Sequence, residues 1–248
     1  MKIVIVDYGM GNLKSVYNAL ILLGFKAKVS DSAEDIRGAD KLILPGVGAF
    51  GDAMEGLEKR KLMQPIKDFL KSGKIYLGIC LGLQILFEKS EEGSAKGFGI
   101  FKGNVRKFKG KLGLKIPHMG WNQIKLKTQK SQPKADPLKA EKVKTIPNVV
   151  TSSENLRDPV EFLKQKTSYG TSQNEKVKIL EDIADGVNFY FVHSYYAQPQ
   201  DEDIVMTTTV YGEEFASMVN KGNIYATQFH PEKSQDIGLK FLKNFMEL

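Results

Sequence analysis

The 248-residue sequence predicts an α/β fold, a single domain built on a mixed, mainly parallel β-sheet. Two observations lead to this prediction. In the first part of the chain, short apolar runs alternate with segments of helical periodicity, which is typical of parallel strands joined by helices. In the second part, strand-like runs follow one another with little helical sequence between them. Such a run of strands after the alternating part indicates a mixed sheet.

The first part begins with an apolar run at Lys2–Val6, which is typical of a strand buried on both faces. Apolar residues then recur at helical spacing from Leu13 to Leu23, which predicts a helix. The remaining predictions for this part are a strand at 26–30, a strand at 41–44, a helix at about 52–72, a strand at 75–79 and a helix at 83–89.

The second part has strand composition in four places and ends in a helix. The strands are predicted at 103–108, 189–196, 204–211 and 224–229, and the helix at about 234–246. Between the two parts lies a polar, lysine-rich segment at about 127–176, with one short helical candidate at 159–166. Its composition predicts an exposed insertion within one domain that spans residues 1–248.

Composition excludes several classes of protein. The net charge of +7 is concentrated between Lys125 and Lys176, where ten lysines and one arginine face six acidic residues, so no nucleic-acid partner is expected. No apolar run approaches the ~20 residues of a membrane span, and no signal peptide is recognisable. The single cysteine excludes an internal disulfide and a cysteine-based zinc site. A cytoplasmic protein without a metal or cofactor is expected.

That single cysteine, Cys80, lies in the run GICLG, between an apolar strand and a helical segment. A strand–turn–helix of this form is typical of a nucleophile elbow, in which the side chain is held at the end of the strand and faces a ligand. The flanking glycines, Gly78 and Gly82, remove the Cβ atoms that would crowd the turn. The start of the following helix favours the reactive thiolate and places the Leu81 N–H near a developing oxyanion. A small buried hydrophobe is the alternative interpretation of a lone cysteine.

The chain has three histidines that could serve as the base for this thiol: His118, His193 and His230. His230 ends a predicted strand, and Glu232 follows two residues later, close enough to orient an imidazole after a turn. Cysteine, histidine and carboxylate in this order favour a triad for acyl transfer. The other two histidines are interpreted as structural residues satisfied by hydrogen bonds.

The runs GICLGLQ around Cys80 and TQFHPEKS around His230 resemble the two signatures of class I (triad) glutamine amidotransferases. The resemblance implies the three-layer α/β fold of that family. It also implies that Cys80 attacks the side-chain amide of L-glutamine to form a γ-glutamyl thioester, that His230 acts as acid and base, and that Glu232 orients His230. Ammonia leaves first, and water then releases glutamate.

Further roles follow from the same resemblance. The oxyanion donors would be the backbone at Leu81 and at Val47 and Gly48 of the PGVG loop. Glutamine would be held, partly through backbone groups, by Gln84, Glu92, His193, Ser194 and Tyr195. A carboxylate at Glu92 suits the positively charged α-amino group of that substrate.

Four longer runs, DYGMGNL, LPGVGAFGDAM, PHMGWNQ and FYFVHSYY, resemble one branch of the family, which serves histidine biosynthesis. In that branch the ammonia passes to a (β/α)8-barrel cyclase subunit, so the resemblance implies a heterodimer. Positions that match the interface or the ammonia passage are Met10, Gly11, Asn12, Trp121, Asn122, Gln123, Tyr190 and Lys233.

The chain departs from the pattern of this branch in one respect, because more than sixty residues separate Gln123 from Phe189. The excess lies in the polar segment, for which we expect a place peripheral to the thiol. Three alternatives stay open: a related glutaminase that feeds a sugar-modifying synthase in surface polysaccharide assembly, a scaffold without turnover, and a cysteine peptidase on a similar fold. The PGVG and HPEKS runs favour hydrolysis of free glutamine over peptide hydrolysis.

Overall fold

The structure is a computed structural model that describes residues 1–110, 113–127 and 178–248. The described residues belong to one compact unit. The predicted polar insertion, apart from Lys127, and its helical candidate at 159–166 lie outside the described residues, so both stay predictions. None of the described helices is long and apolar enough to cross a membrane.

A mixed sheet of eight strands forms the centre of the described unit, in the order β2-β1-β3-β4-β13-β12-β11-β8. The first five strands in that order are parallel to their neighbours, and the remaining pairs are antiparallel. The strands are β1 (Ile3–Val6), β2 (Ala27–Ser30), β3 (Lys41–Gly46), β4 (Ile75–Cys80), β8 (Lys125–Leu126), β11 (Val205–Tyr211), β12 (Glu213–Lys221) and β13 (Ile224–Thr227). The predicted mixed, mainly parallel sheet is confirmed.

Helices cover both faces of this sheet, because its central strands are apolar on both sides. Along β1, Ile3 and Ile5 point into one core, and Val4 and Val6 into the other. The helices are α1 (Leu13–Leu22), α2 (Ala33–Gly38), α3 (Phe50–Lys59), α4 (Met63–Lys71), α5 (Leu81–Gln84) and α6 (Gln235–Met246). Helices α1 and α6 pack on the face of Ile3 and Ile5. Helices α2, α3 and α4 pack on the face of Val4 and Val6. Helices, sheet and helices form the predicted three layers.

Two small sheets lie beside the central one. The first contains β10 (Tyr195–Pro199), β6 (Gly103–Lys107) and β5 (Lys89–Ser90). The second pairs β7 (His118–Gln123) with β9 (Asn188–His193) in antiparallel register, with His118 opposite His193. The second sheet therefore brings the PHMGW and FVHSYY runs together.

Three predicted elements are wrong in extent. The helix expected at about 52–72 is two helices, separated at Lys61, which has a φ of 57°. The helix expected at 83–89 is α5 alone, followed by a turn and β5. The strand expected at 189–196 is divided at Ser194 into β9 and β10, which belong to different sheets. Helix α2 and strands β7 and β12 have no counterpart among the predicted elements.

Candidate active site

Cys80 is the last residue of β4 and lies immediately before α5, as the elbow interpretation predicts. Its backbone has φ 54° and ψ −102°, a conformation that side-chain-bearing residues rarely adopt. The flanking glycines are required by close contacts between backbones. A Cβ on Gly82 would collide with the carbonyl oxygen of Leu44, and one on Gly78 would collide with the carbonyl oxygen of Gly82. The strand therefore turns sharply into the helix only because both positions lack a side chain.

His230 and Glu232 form a buried pair in the structure. His230 follows β13, which is parallel to and paired with β4, and Glu232 lies in the 3-10 turn Pro231–Lys233. His230 Nδ1 lies 2.8 Å from Glu232 Oε1, and both side chains are 2% exposed. Burial lowers the pKa of His230, but the negative charges of Cys80 and Glu232 outweigh burial and raise it to about 10. The arrangement therefore favours the protonated imidazole of His230 beside the Cys80 sulfur.

The sulfur of Cys80 has two further neighbours. The amide of Gln228 donates a hydrogen bond from Nε2 to Sγ at 3.5 Å, and Sγ lies 3.8 Å from the carbonyl oxygen of Val192. Gln228 is not among the predicted site residues. One sequence feature points to Gln228: it is a polar residue at the end of the largely apolar run IYATQF. In the structure the preceding residue, Thr227, pairs with Ile79, which precedes Cys80.

The PGVG loop continues from β3 directly beside the thiol, because Gly46 is the register partner of Cys80. Val47 and Gly48 follow at this edge of the sheet, and Leu81 opens α5 immediately after Cys80. The structure thus brings the three predicted oxyanion positions together. A Cβ on Gly46 would collide with the Tyr8 hydroxyl and with Leu81, so the loop leaves the strand through a space that only glycine fits.

Two of the predicted substrate contacts, Gln84 and Glu92, form hydrogen bonds with groups around the site. Gln84 Nε2 donates to the Tyr195 carbonyl at 2.9 Å and to Gln228 Oε1 at 3.1 Å. Glu92 Oε2 accepts a hydrogen bond of 2.7 Å from the backbone N–H of Phe50, where α3 begins just beyond the PGVG loop. Gln84 therefore has its carbonyl oxygen left for a ligand, and Glu92 has its second carboxylate oxygen.

The break between β9 and β10 places His193, Ser194 and Tyr195 next to these groups. His193 Nδ1 lies 2.8 Å from the Tyr195 carbonyl, and its Nε2 lies 2.9 Å from His118 Nδ1. Since a carbonyl oxygen only accepts, Nδ1 of His193 carries the hydrogen, and in the neutral ring its Nε2 accepts from His118. His118 Nε2 then accepts from the Asn122 amide at 3.2 Å. Both ring nitrogens of His193 are used, which leaves its backbone to contact a substrate.

Burial keeps these two histidines neutral. It lowers the pKa of His118 to about 4 and that of His193 to about 3. The His118 ring also lies between the rings of Phe191 and Tyr211, at centroid distances of 4.9 and 4.0 Å. The predicted structural role is therefore confirmed for the His118 side chain.

Two of the predicted interface residues near the start of the chain contact the PGVG loop. Gly48 has a φ of 96°, and a Cβ added to it would collide with the Met10 side chain. Gly11 approaches the Pro45 carbonyl closely, with a φ of 111°. Asn12 accepts a hydrogen bond from the backbone N–H of Ser15 and so caps α1.

The remaining predicted interface residues lie on β7, on β9 and after His230. Trp121 packs edge-on against Tyr190, and the Lys233 ammonium lies 5.9 Å from the centre of the Tyr190 ring. The backbone N–H of His230 donates to the Tyr190 carbonyl at 2.9 Å, so this stack adjoins His230. Gln123 is exposed, whereas the Asn122 amide points inward to His118 and to the Val210 carbonyl.

Comparison with known proteins agrees with this geometry. The family model described as glutamine amidotransferase class-I matches residues 4–248. A protein of Aquifex aeolicus named imidazole glycerol phosphate synthase subunit HisH is 43% identical, over 99% of this chain and 96% of its own length. A protein of the same name from Rhodopirellula baltica is 41% identical, over 98% of this chain and 96% of its own length.

Solved structures match the fold. A crystal structure of a glutamine amidotransferase superposes with a TM-score of 0.61 at 16% identity, covering 98% of each chain. PurLQS from Thermotoga maritima has a TM-score of 0.61 at 19% identity and covers 99% of this chain and 97% of its own. With a family model that spans nearly the whole length and relatives above 40% identity, this chain belongs to the class I glutamine amidotransferases.

Proposed function

We propose that this chain is the glutaminase subunit of an imidazole glycerol phosphate synthase, which hydrolyses L-glutamine at Cys80 and delivers ammonia to a cyclase subunit. The observation that carries the proposal is the strained Cys80 turn beside the buried His230–Glu232 pair. The near-full-length relatives named as subunits of this synthase support the pathway. An enzyme of amino-acid biosynthesis with a reactive thiol fits the reducing cytoplasm.

The reaction begins from the state in which the proton of Cys80 already lies on His230, as the raised pKa of this histidine favours. Since Nδ1 of His230 donates to Glu232, the other ring nitrogen, Nε2, is the one that takes the proton of Cys80. This Nε2 atom is buried and has no hydrogen-bond partner among the described residues, so it is free for that exchange. The sulfur then attacks the amide carbon and forms the thioester, and the departing nitrogen takes the proton and leaves as ammonia. Water restores the thiol and releases glutamate.

The developing oxyanion would be stabilised by backbone donors at Leu81, which follows Cys80, and at Val47 and Gly48, which follow the register partner of Cys80. The free oxygen of Glu92 suits the α-ammonium group of glutamine. The carbonyl oxygen of Gln84 suits another N–H of the same substrate, because both donors of that amide are already engaged.

The partner is a second subunit, and we propose that it is a (β/α)8-barrel cyclase that docks on the outward face of β7. Met119 and Trp121 alternate on that face and are 64% and 48% exposed. Exposed apolar side chains of this size mark interaction surfaces, and tryptophan is enriched at the centres of interfaces. Met10 and Gly11, which contact the PGVG loop, connect the same region to the oxyanion positions.

The test is glutamate release from glutamine, measured for the chain alone and after addition of a cyclase subunit with its nucleotide ligand. We expect low activity alone, a large stimulation by the cyclase, and loss of both in Cys80→Ala. Stimulation that survives Cys80→Ala would contradict the role of the thiol. Turnover that the cyclase does not change would point to the sugar-modifying synthase as acceptor. Absence of turnover with either acceptor would favour the scaffold.

A further inference from the structure

We propose that Gln228 is a catalytic residue whose side-chain N–H stabilises the Cys80 thiolate. A chain of hydrogen bonds that begins at the Tyr195 carbonyl fixes the direction of this N–H. The proposal rests on the proposed glutaminase function of the same site. It assigns a role to a residue that lies within the TQFHPEKS run but outside the set of Cys80, His230 and Glu232.

The chain starts at the Tyr195 carbonyl, the first carbonyl of β10 after the break at Ser194. This oxygen accepts from Gln84 Nε2 at 2.9 Å, so the nitrogen of the Gln84 amide must face it. The same nitrogen lies 3.1 Å from the Gln228 side chain, which must then present its oxygen. The Gln228 amide consequently points its nitrogen at Cys80 Sγ, 3.5 Å away. Each amide has one possible orientation.

Reversal of the Gln228 amide would have a double penalty. Its nitrogen would meet the nitrogen of Gln84, and its oxygen would meet the sulfur. Gln228 is fully buried, and its backbone N–H is fixed by a 2.8 Å bond to the Ser217 carbonyl, so water cannot compensate for either loss. The donor is thus already oriented before the sulfur becomes negative.

The chemical consequence concerns the protonation state of the sulfur. A thiolate accepts an N–H hydrogen bond more strongly than a neutral thiol does, so the amide favours the nucleophilic form. The thiol form has its own partner, the Val192 carbonyl 3.8 Å away, which only the S–H group can use. Gln228 and Val192 therefore stabilise opposite protonation states of Cys80.

Other groups near the sulfur are charged or titratable and must be held constant in a test. His230 and Tyr8 are electrostatically coupled to Cys80, and His193 on β9 is neutral and lies near His230. Substitution of Gln228 leaves all three in place. Because Cys80 is the only cysteine of the chain, the difference in thiolate absorbance between a protein and its Cys80→Ala counterpart reports this sulfur alone.

The experiment is a pH titration of that absorbance for the full-length wild type, Gln228→Met and Gln228→Glu. Methionine keeps the length without the donor. Glutamate keeps the shape and the acceptor for Gln84 but places a negative charge at the sulfur. We expect the titration midpoint to move upward by about one to two pH units in Gln228→Met, and further in Gln228→Glu. The pH profile of alkylation by iodoacetamide should show the same upward displacement in Gln228→Met.

An unchanged midpoint in folded Gln228→Met would overturn the proposal and leave Gln228 a packing residue. So would a lower midpoint in Gln228→Glu than in Gln228→Met. Circular dichroism establishes that each variant is folded, and the uncharged methionine variant keeps the test decisive if the glutamate variant is not. The titration needs neither glutamine nor a cyclase, so a failure of the proposed function would appear separately, as wild-type protein without turnover.

Discussion

His118 and His193 show how single residues can set the acid limit of the fold. Both are neutral in the folded chain, with pKa values that burial lowers to about 4 and about 3, while an unfolded histidine has a pKa of 6.5. Between pH 6.5 and pH 4 the unfolded state therefore binds protons that the folded state does not. Stability from this pair is present above pH 6.5 and is lost as the pH falls.

We predict that the free energy of unfolding falls over this range by about 1.4 kcal/mol per pH unit for each of the two histidines. Urea unfolding at a series of pH values measures the slope. The control is His118→Phe, which keeps a ring between Phe191 and Tyr211 but removes one titrating group, so the slope should fall by about half. An equal slope in this variant would contradict the assignment. His230 does not contribute here, because its raised pKa keeps it protonated in the folded chain as well.

At the scale of elements, the β4–α5 turn depends on two close backbone contacts. We predict that Gly82→Ala destabilises the protein by more than about 3 kcal/mol, since its Cβ would collide with the Leu44 carbonyl of the neighbouring strand. Thermal unfolding measures the effect. The matched control is Gly51→Ala in α3, where the new Cβ meets nothing within 4 Å and where alanine should stabilise the helix by up to about 1 kcal/mol. Similar melting temperatures for the two variants would refute the contact argument.

The elements that the sequence predicts well are those whose patterning is local. The apolar runs of β1, β3 and β4 and the periodicity of α1 and α6 mark these elements without any tertiary information. The sharp turn at Cys80 and the His230–Glu232 pair were also predictable, because glycines around a cysteine and a carboxylate two residues after a histidine are local signals. The comparisons confirm the fold and the family.

The elements that the sequence predicts badly are those that depend on contacts between residues far apart in the chain. The run 189–196 has continuous strand composition, and its division at Ser194 follows from pairing with β7 on one side and with β6 on the other. Helix α5 ends at Gln84 because the next residues turn back toward β5 and β6. Gln228 was missed for the same reason, since only the register of β13 against β4 brings its amide to the sulfur.

At the scale of the whole molecule, the outward face of β7 should determine how tightly the partner subunit binds. We predict that Trp121→Ala weakens cyclase binding by at least about thirtyfold and reduces the stimulated glutaminase activity, because an exposed tryptophan is a typical interface hot spot. The melting temperature should change little. Titration calorimetry with the cyclase subunit measures binding.

The matched control is Leu22→Ala, which removes an exposed apolar side chain, 73% exposed, from the last residue of α1. Helix α1 returns from the edge of the sheet where β1 ends, so Leu22 lies at the opposite edge of the central sheet from Cys80. We expect wild-type affinity in this variant. Equal losses of affinity in both variants would mean that the cyclase does not recognise the β7 face.

The backbone at Cys80 has an evolutionary consequence. A residue with a side chain is held at φ 54° and ψ −102°, a conformation that is disfavoured by about 1–3 kcal/mol relative to a relaxed one and that glycine adopts freely. Function and folding therefore make opposite demands on this position. In a duplicated copy freed from ammonia production, drift would favour glycine at this turn, and the gain in stability would make the loss of the thiol hard to reverse.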